Sequence, residues 1–311
     1  MNTRLKAEIG LCSATIFWGG TFVTSKAGLE HISPMAYVAG RGILGTLALL
    51  FVFRAVLPRI AARDLKAGAT TGIFLFAGYA CLTAGMVHTS VSKAAFINSF
   101  EAVLPAILLA VFWRRPAPAL LWVGAVAALA GLYLITVPAG ELSALNRGDI
   151  LVFCGAVLFA THTIAIGFFT QRHELGALTI IQVATTTLLA GVSLPLLGAT
   201  GIDPFFLSPA PILWVALFLS GVGSLAIGLT IQTWAQRHTP ASHAAMYFSL
   251  IPVFATLASV LFLHERMGAR EASGCVCIFA GVLMSSLSGS SSTEPQPPTA
   301  DAVEFGVGGG L

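Results

Sequence analysis

Charged residues are scarce in this 311-residue chain. Only 9% of its positions are Asp, Glu, Lys or Arg, whereas 56% are hydrophobic. A typical soluble domain has about 25% charged residues. The apolar residues gather in stretches of about 20, the length that a helix needs to cross the hydrocarbon core of a bilayer. Because backbone groups in lipid must be hydrogen-bonded within their own segment, the sequence predicts an all-α membrane protein.

Catalytic motifs and loop cysteines are also missing. The five cysteines fall inside predicted helices, where they indicate packing residues rather than disulfides or metal ligands. The sequence has no HExxH, GxSxG, Walker P-loop or GxGxxG motif. These absences argue against an enzyme, an ATP-driven pump and a metal or cofactor site. The net charge of +3 is attributed to membrane orientation and not to nucleic-acid binding.

The apolar stretches predict ten transmembrane helices, separated by prolines and short polar segments. The predicted spans are Leu5–Leu29, Pro34–Phe53, Ala67–Val87, Ser92–Phe112, Pro118–Val137, Gly148–Thr170, Leu175–Gly198, Pro209–Gln236, Pro240–Leu263 and Gly268–Leu287. The Ser-, Pro- and Gly-rich segment that follows, residues 288–311, predicts a disordered tail.

Lys and Arg residues in the short loops indicate the orientation. With the N-terminus inside, Arg147, Arg266 and Arg270 are the basic residues outside. The cytoplasmic set is larger and comprises Arg4, Lys6, Arg54, Arg59, Arg63, Lys66, Arg114, Arg115, Arg172 and Arg237. An even number of helices then predicts that both termini are cytoplasmic.

The second half of the chain repeats the first. A shift of 150 places residues 88–135 over 238–285 without a gap, and a shift of 141 aligns Glu8-Ile9 with Asp149-Ile150. We therefore predict one five-helix repeat over residues 1–140 and another over 141–287. An odd number of helices per repeat inverts the second copy, as in transporters that rock around a midplane site. The alternative is a duplication retained only for stability.

Three motifs carry a family resemblance. They are Trp18-Gly19-Gly20-Thr21-Phe22, the His-Thr-x-x-Ser-x-Ala-Ala pattern at residues 88–95 and 238–245, and Pro252-Val253-Phe254 followed by His264-Glu265-Arg266. With these motifs the chain resembles the drug/metabolite transporter superfamily, in its ten-helix EamA-type branch. The first repeat departs from the pattern, because Arg114-Arg115 stands where the second repeat has His264-Glu265.

The resemblance implies a secondary transporter of a bacterial inner membrane that moves small metabolites, amino acids or drugs. Exporters of amino acids, including aromatic ones, are the members that this chain resembles most. We therefore expect export of aromatic or other apolar amino acids by alternating access. The alternatives are multidrug or cationic-compound efflux by the same fold and, from other classes, a membrane enzyme or a channel. The expected partners are a small-molecule substrate and the lipid bilayer, and two fused halves can build a cavity within a monomer.

Ionisable residues inside membrane helices are costly and mark candidate sites. Glu101 is the only acidic residue deep in a predicted helix, and Asn98 lies one turn earlier on the same face. Glu101 is predicted to line the cavity, where its carboxylate is available to a substrate ammonium group or a proton. The alternative is a structural ion pair with Arg41, which itself either binds a substrate carboxylate or has a structural role. Lys93 either belongs to the site or extends its side chain to the lipid headgroups.

His162 falls in the middle of the predicted sixth helix, where it either contacts substrate, relays a proton or packs as a satisfied histidine. Trp18, Tyr79 and Tyr247 also lie mid-segment, where they line a cavity or pack in the core. The neutral Gln232 adds a hydrogen-bonding group. The predicted substrate-binding residues are therefore Trp18, Tyr79, Asn98, Glu101, His162, Gln232 and Tyr247, with Arg41 and Lys93 as structural or charge-pair candidates.

Overall fold

Apolar sequences bounded by proline and short polar turns fold into helices here. The computed structural model describes residues 3–114, 117–137, 146–254, 256–257 and 267–288. Within these ranges the regular elements are helical, apart from an isolated bridge between Ile32 and Leu207. The α-helices are α1 Thr3–Leu29, α2 Pro34–Val52, α3 Ala62–His88, α4 Val91–Asn98, α5 Leu104–Phe112, α6 Ala119–Thr136, α7 Arg147–Phe169, α8 Leu175–Ala199, α9 Pro211–Phe218, α10 Leu229–Ala235, α11 Ala241–Phe248 and α12 Ala269–Ser288.

Seven helices of the described chain are long and apolar enough to cross a membrane, or eight if the bent α4–α5 pair is one span. This number is smaller than the ten predicted spans. The 27-residue α1 is long enough, but Ser, Thr and Gly dilute its apolar residues, and it does not qualify. Helix α11 with its continuation, Ala241–Phe254, is too short within the described part of the chain. The end of the predicted span Pro240–Leu263 and the His264-Glu265-Arg266 motif lie outside the described residues.

The predicted fourth span is broken where the sequence indicated a single helix. A 3₁₀ turn over Ser99–Ala102 separates α4 from α5, and the two parts are bent by 44°. Pro105 explains the break, because its ring clashes with the carbonyl of the residue four positions earlier, Glu101, and supplies no N–H. The break places Glu101 in a 3₁₀ turn and not in a regular α-helix.

A second irregularity lies in the span from Pro211 to Ala235. Its central segment, Leu219–Gly228, is a π-helix that continues α9 directly into α10. Single π turns are common at functional sites, because they shift the register of the side chains that follow.

The helices share two sides, which we name by the course of α1. The near side is where α1 begins, and the far side is where α1 ends at Leu29. Helix α12 ends on the near side, since Arg4 Nη2 donates to the Ser286 carbonyl at 2.8 Å. The end of α3 lies on the far side, because Lys26 Nζ in the last turn of α1 donates to the Thr89 carbonyl at 3.4 Å. Helix α7 begins there, since Asp149 accepts a 2.6 Å hydrogen bond from Thr89 Oγ1. Helices α1 and α7 therefore run in opposite directions.

The two halves of the chain meet in crossed contacts. In the α6–α12 pair, a Cβ built on Gly124 would lie 2.6 Å from the Gly281 carbonyl oxygen, and one on Gly131 would lie 2.5 Å from the Gly274 carbonyl oxygen. Gly274 and Gly281 are the residues that the shift of 150 aligns with Gly124 and Gly131. Gly124 thus faces the counterpart of Gly131, and Gly131 faces the counterpart of Gly124. Both contacts need the absence of a side chain.

The outward faces of the helices are apolar. Large side chains such as Phe51 (76% exposed), Phe112 (70%) and Val126 (68%) point away from the bundle. An apolar exterior of this kind is unfavourable in water and suits contact with lipid. The interior holds the polar side chains that form the candidate site.

Candidate functional site

A cavity opens between the two halves of the chain. The space between its lining atoms is about 740 Å³, which includes a part that is continuous with the exterior. The described residues that line it are Trp18, Thr21, Ser25, Leu29, Tyr37, Arg41, Leu75, Tyr79, Leu82, Thr83, Met86, Asn98, Glu101, Phe159, His162, Ser224, Leu229, Gln232 and Ile251. Leu29, Tyr37 and Met86 lie near helix ends on the far side, so the cavity extends from mid-bundle toward that side.

Glu101 faces the cavity from the 3₁₀ break between α4 and α5. Its side chain is partly exposed to the cavity. Its Oε2 accepts one hydrogen bond, from Asn98 Nδ2 at 3.3 Å. No Lys, Arg or His nitrogen of the described chain lies within 4.0 Å of the Glu101 carboxylate. The predicted alternative, an ion pair with Arg41, is therefore not formed in this structure.

Asn98 completes this end of the cavity. Its side chain is buried, with 7% exposed, and its Oδ1 has no hydrogen-bond partner among the described residues. A buried acceptor without a partner is costly, typically by about 1–3 kcal/mol. Glu101 and Asn98 Oδ1 together present acceptors that suit a bound ammonium or amine group.

Arg41 lies in the same cavity on α2. Its guanidinium carbon sits 4.1 Å from the centre of the Tyr79 ring, a cation–π contact. Its Nη2 donates to the Ser220 carbonyl at 3.3 Å and to Ser224 Oγ at 3.2 Å, both in the π-helical segment. Its Nε is buried without a hydrogen-bond partner among the described residues.

Aromatic rings from both halves form the walls. The Tyr79 and Phe159 rings pack edge to face with centroids 4.9 Å apart, and Trp18 packs in the same way on Phe248 at 5.1 Å. A Cβ on Gly78 would lie 2.7 Å from the Phe159 ring, and one on Gly228 would lie 2.9 Å from the Trp18 ring. The two rings are thus fixed by glycines of the opposite half.

His162 and Gln232 are neutral hydrogen-bonding groups of the lining. His162 is 2% exposed, and its Nε2 is 3.0 Å from Gln182 Oε1 on α8. Gln232 Nε2 donates to Thr163 Oγ1 at 3.4 Å and to Gln236 Oε1 at 3.3 Å. Because these groups already have protein partners, they are less available to a ligand than Glu101 and Arg41.

Two of the sequence candidates do not line the cavity. Tyr247 lies in an apolar cluster with Phe248 and Val253 and interacts with Glu8 and Ser286 near the near side. Lys93 forms a 2.6 Å ion pair with Asp149 at the start of α7. Trp18, Tyr79, Asn98, Glu101, His162, Gln232 and Arg41 are brought together in one space.

The structure adds polar lining residues that sequence reasoning missed. The Tyr37 hydroxyl is 2.8 Å from Ser25 Oγ and 3.1 Å from Ser220 Oγ, which ties α2 to α1 and to the π-helical segment. Ser224 was also missed. Ser and Thr are common in membrane helices, where they bond to their own backbone, so the sequence carried no signal that singled these out.

A chain of polar contacts closes the bundle between the cavity and the near side. Gln182 Nε2 donates to Thr233 Oγ1 at 3.4 Å, and the Thr233 carbonyl accepts from Thr170 Oγ1 at 2.8 Å. Arg237 then donates to Thr170 Oγ1 at 3.2 Å and to the His173 carbonyl at 2.5 Å. His173 Nδ1 is 2.7 Å from Asp64 Oδ1 at the start of α3.

Within the parts of the chain that the structure describes, no three His, Cys, Asp or Glu side chains come together as a metal site. The chemistry that the cavity offers is thus that of a carboxylate, a guanidinium, neutral hydrogen-bonding groups and aromatic rings. Such groups suit hydrogen bonds, ionic contacts and ring contacts with a small polar molecule.

Comparison with known proteins finds transporters among the proteins that are similar to this chain. An uncharacterized transporter of Archaeoglobus fulgidus is 28% identical over 284 residues, which cover 91% of this chain and 87% of the relative. The uncharacterized transporter YvbV of Bacillus subtilis is 25% identical, with coverage of 90% and 92%. A solved crystal structure of a protein, 16% identical, matches 91% of this chain and 96% of its own with a TM-score of 0.73, which shows a shared fold.

The sequence profile described as the EamA-like transporter family matches twice, over residues 5–137 and 146–287. The two matches cover most of the chain, and the first includes 13 of the cavity-lining residues and the second includes six. The relatives, the membrane-spanning helices and the profile agree on a multi-pass membrane protein with a transporter role. The chain belongs to the EamA-like transporter family.

Proposed function

We propose that this chain is a secondary transporter that exports small metabolites, namely aromatic or other apolar amino acids, across a bacterial inner membrane by alternating access. Its topology would be ten spanning helices in two inverted five-helix repeats, with both termini in the cytoplasm. The near side is then cytoplasmic and the far side is outside. The observation that carries the proposal is the Glu101 carboxylate, which faces the cavity without a basic partner.

The repeat organisation is supported by the crossed contacts between the halves. Gly124 contacts Gly281, and Gly131 contacts Gly274. The shift of 150 aligns Gly124 with Gly274 and Gly131 with Gly281, so the two contacts are equivalent when the halves are exchanged. Reciprocal contacts of this type are what a two-fold relation between two similar units produces. The opposite directions of α1 and α7, and the two separate matches to one family profile, agree with inversion.

The substrate class is supported by the lining. Glu101 and Asn98 Oδ1 offer acceptors to an ammonium group, and a carboxylate in a site with few other charges is costly until a cation neutralises it. Trp18, Phe159 and Leu229 supply an apolar surface of the kind that contacts an aromatic or aliphatic side chain. A small molecule with an ammonium group and an apolar part fits this arrangement.

The transport cycle is supported by the unequal closure of the two sides. The cavity reaches the far-side residues Leu29 and Met86, whereas the polar contacts around Arg237 close the near side. In an alternating-access cycle those near-side contacts separate when the cavity opens to the cytoplasm, and the far-side ends of α1 and α3 come together.

The test is flux in proteoliposomes containing the full chain. The probes are phenylalanine, leucine, serine, glutamate and the quaternary cation tetraphenylphosphonium, each measured with and without a pH gradient. We expect saturable flux of phenylalanine or leucine that protein-free liposomes lack. Flux of tetraphenylphosphonium alone would replace the proposal with cationic-compound efflux, which the aromatic walls and Glu101 also favour.

Glu101→Gln tests whether transport needs the Glu101 carboxylate. It preserves the shape of the side chain and removes its charge, so we expect flux of phenylalanine or leucine to fall by about tenfold or more. Glu30→Gln, at an exposed position after α1, is the control and should leave flux unchanged. Normal flux in a stably folded Glu101→Gln protein would remove Glu101 from the mechanism.

A further inference from the structure

We propose that Arg41 binds the carboxylate of the substrate, so that the transporter requires a free acid opposite the ammonium group. This inference rests on the proposed function, because it assigns the second pole of the same cavity. It goes beyond that function by making a guanidinium the group that separates amino acids from amines, amides and esters.

The guanidinium of Arg41 is buried without a counter-charge. Only 5% of the residue is exposed, and no carboxylate oxygen of the described chain lies within 4.0 Å of it. Of its three nitrogens, Nη2 alone has hydrogen-bond partners among the described residues, at 3.2 and 3.3 Å. A buried charge without a charged partner is strongly unfavourable, so a purely structural role leaves its cost unexplained.

The protein nevertheless holds the guanidinium in place. The Tyr79 ring covers one face at 4.1 Å, and the π-helical segment supplies Ser220 and Ser224 as acceptors on one edge. Nε is buried and has no hydrogen-bond partner among the described residues. Stacking on a ring with free N–H groups on another edge is the arrangement that suits bidentate contact with a carboxylate.

The acidic end of the cavity is a separate place. Glu101 and Asn98 come from the α4–α5 break, whereas Arg41 comes from α2, and both ends line one continuous space. Each end has an unpartnered buried polar atom, Asn98 Oδ1 at one and Arg41 Nε at the other. A zwitterion placed between Glu101 and Arg41 would neutralise both charges at once.

The charge balance of the lining favours a monoanionic group. Among the described lining residues, Arg41 is the only Arg or Lys and Glu101 is the only Asp or Glu. A phosphate, with close to two negative charges, would leave one charge unmatched and would face Glu101 across the same space. A carboxylate matches the single guanidinium.

The experiment compares acids with their amides in the full chain reconstituted in proteoliposomes. The probe pairs are phenylalanine with phenylalaninamide and leucine with leucinamide. Each amide keeps the ammonium group and the side chain but has no negative charge. We expect wild-type protein to prefer the acid by about tenfold or more in competition with labelled substrate, because a site built around a buried donor rejects a ligand that leaves it unpaired.

Arg41→Gln should reduce that preference to less than about threefold, since it removes the charge that distinguishes acid from amide. Arg41→Lys keeps a charge without the planar fork and should retain an intermediate preference. Arg270→Gln is the control, because Arg270 also stacks on a tyrosine ring, Tyr133 at 5.6 Å, but does not line the cavity. It should leave the preference at the wild-type value.

The outcomes separate this inference from the proposed function. Equal handling of acid and amide by the wild-type protein, or an unchanged preference in Arg41→Gln, would overturn the role of Arg41 while leaving amino-acid export intact. Lack of flux for all four probes would overturn both. If Arg41→Gln does not fold, the wild-type comparison and Arg41→Lys decide, because a full wild-type preference in Arg41→Lys contradicts the need for the guanidinium fork.

Discussion

The two halves of this chain contribute different chemistry to the cavity. The first half supplies the charged residues, Glu101 and Arg41. The shifts of 150 and 141 align these with Ile251 and Gln182 in the second half, both of which are neutral. Ile251 lines the cavity as Glu101 does, whereas the Gln182 side chain bonds to His162 and Thr233 behind the lining.

The backbones around Arg41 and Gln182 are nonetheless packed alike. A Cβ on Gly221 would lie 2.6 Å from the Arg41 carbonyl oxygen, and a Cβ on Gly72 would lie 2.6 Å from the Gln182 carbonyl oxygen. The same close approach of two helices therefore occurs twice. One occurrence presents a guanidinium to the cavity, and the other builds a neutral polar layer that closes the near side.

The difference indicates how a duplicated fold obtains a directed site. In the proposed alternating-access cycle, two inverted repeats would exchange the same two arrangements. A symmetric set of charges would bind a zwitterion equally well in two opposite orientations. Charges confined to one half give the substrate a single orientation.

The largest effect is expected when the carboxylate is moved from the first half to the second. We expect Glu101→Ile to lower flux of phenylalanine or leucine by about tenfold or more, and the double variant with Ile251→Glu to remain equally low. The physical reason is that the position aligned with Asn98 holds Phe248, and the one aligned with Arg41 holds Gln182. Flux in liposomes is the measurement, and recovery in the double variant would show that the half that carries the charge is unimportant.

Substitutions in the α6–α12 contact test a region where the two halves make equivalent contacts. Gly131→Ala and Gly274→Ala should each lower the free energy of unfolding by about 1–3 kcal/mol, because each new methyl group meets a backbone carbonyl oxygen 2.5 or 2.7 Å away. Gly191→Ala is the control, since a Cβ there has nothing within 4 Å. Thermal unfolding in detergent gives the ranking. A large loss from only one of the pair would argue against equivalent contacts.

Gln182→Met tests whether Gln182, the residue aligned with Arg41, contributes to stability and not to binding. It leaves His162 Nε2 without its 3.0 Å partner, so we expect a loss of about 1–2 kcal/mol in stability. The preference for acid over amide should not change, because Gln182 does not line the cavity. Leu188→Met, on the outward face of the same helix with 66% exposed, is the matched control. A changed preference would place Gln182 in the binding site.

The smallest expected effect is at Lys93. Lys93→Gln removes the ion pair with Asp149, but Asp149 keeps its hydrogen bonds from Thr89 and from the Asn146 N–H. The Lys93 side chain is also 18% exposed, so we expect a loss of about 1 kcal/mol or less and unchanged flux. Lys66→Gln, at an exposed position, is the comparison in the same thermal measurement. Loss of flux with normal stability would give Lys93 a part in transport.

Much of the helical architecture follows from composition, because lipid admits only segments whose backbone is internally bonded. The predicted Pro34–Phe53 corresponds to α2, which ends at Val52, and the predicted Leu175–Gly198 corresponds to α8, which ends at Ala199. Buried polar residues were also predicted to share a space, since they cannot face lipid without cost. Glu101, Asn98 and His162 indeed line one cavity.

Which face of each helix meets the cavity could not be predicted in the same way. Lipid and the protein interior are both apolar, so these helices carry little amphipathic pattern to show how they are rotated. Tyr247 and Tyr37 illustrate this, because both lie in apolar segments but only Tyr37 lines the cavity. The breaks at Ser99–Ala102 and Leu219–Gly228 likewise depend on how the backbone relaxes around Pro105 and against α2.

The sequence alone establishes that one acidic residue, Glu101, and one arginine, Arg41, lie well away from the ends of the predicted membrane helices, where the bilayer makes charged groups costly. It does not establish whether they neutralise each other. That depends on the relative placement of α2 and the α4–α5 break, which is set by helix packing. In the folded protein Arg41 is held by Tyr79 and the π-helical segment, and Glu101 by Asn98, so both charges remain available to a ligand.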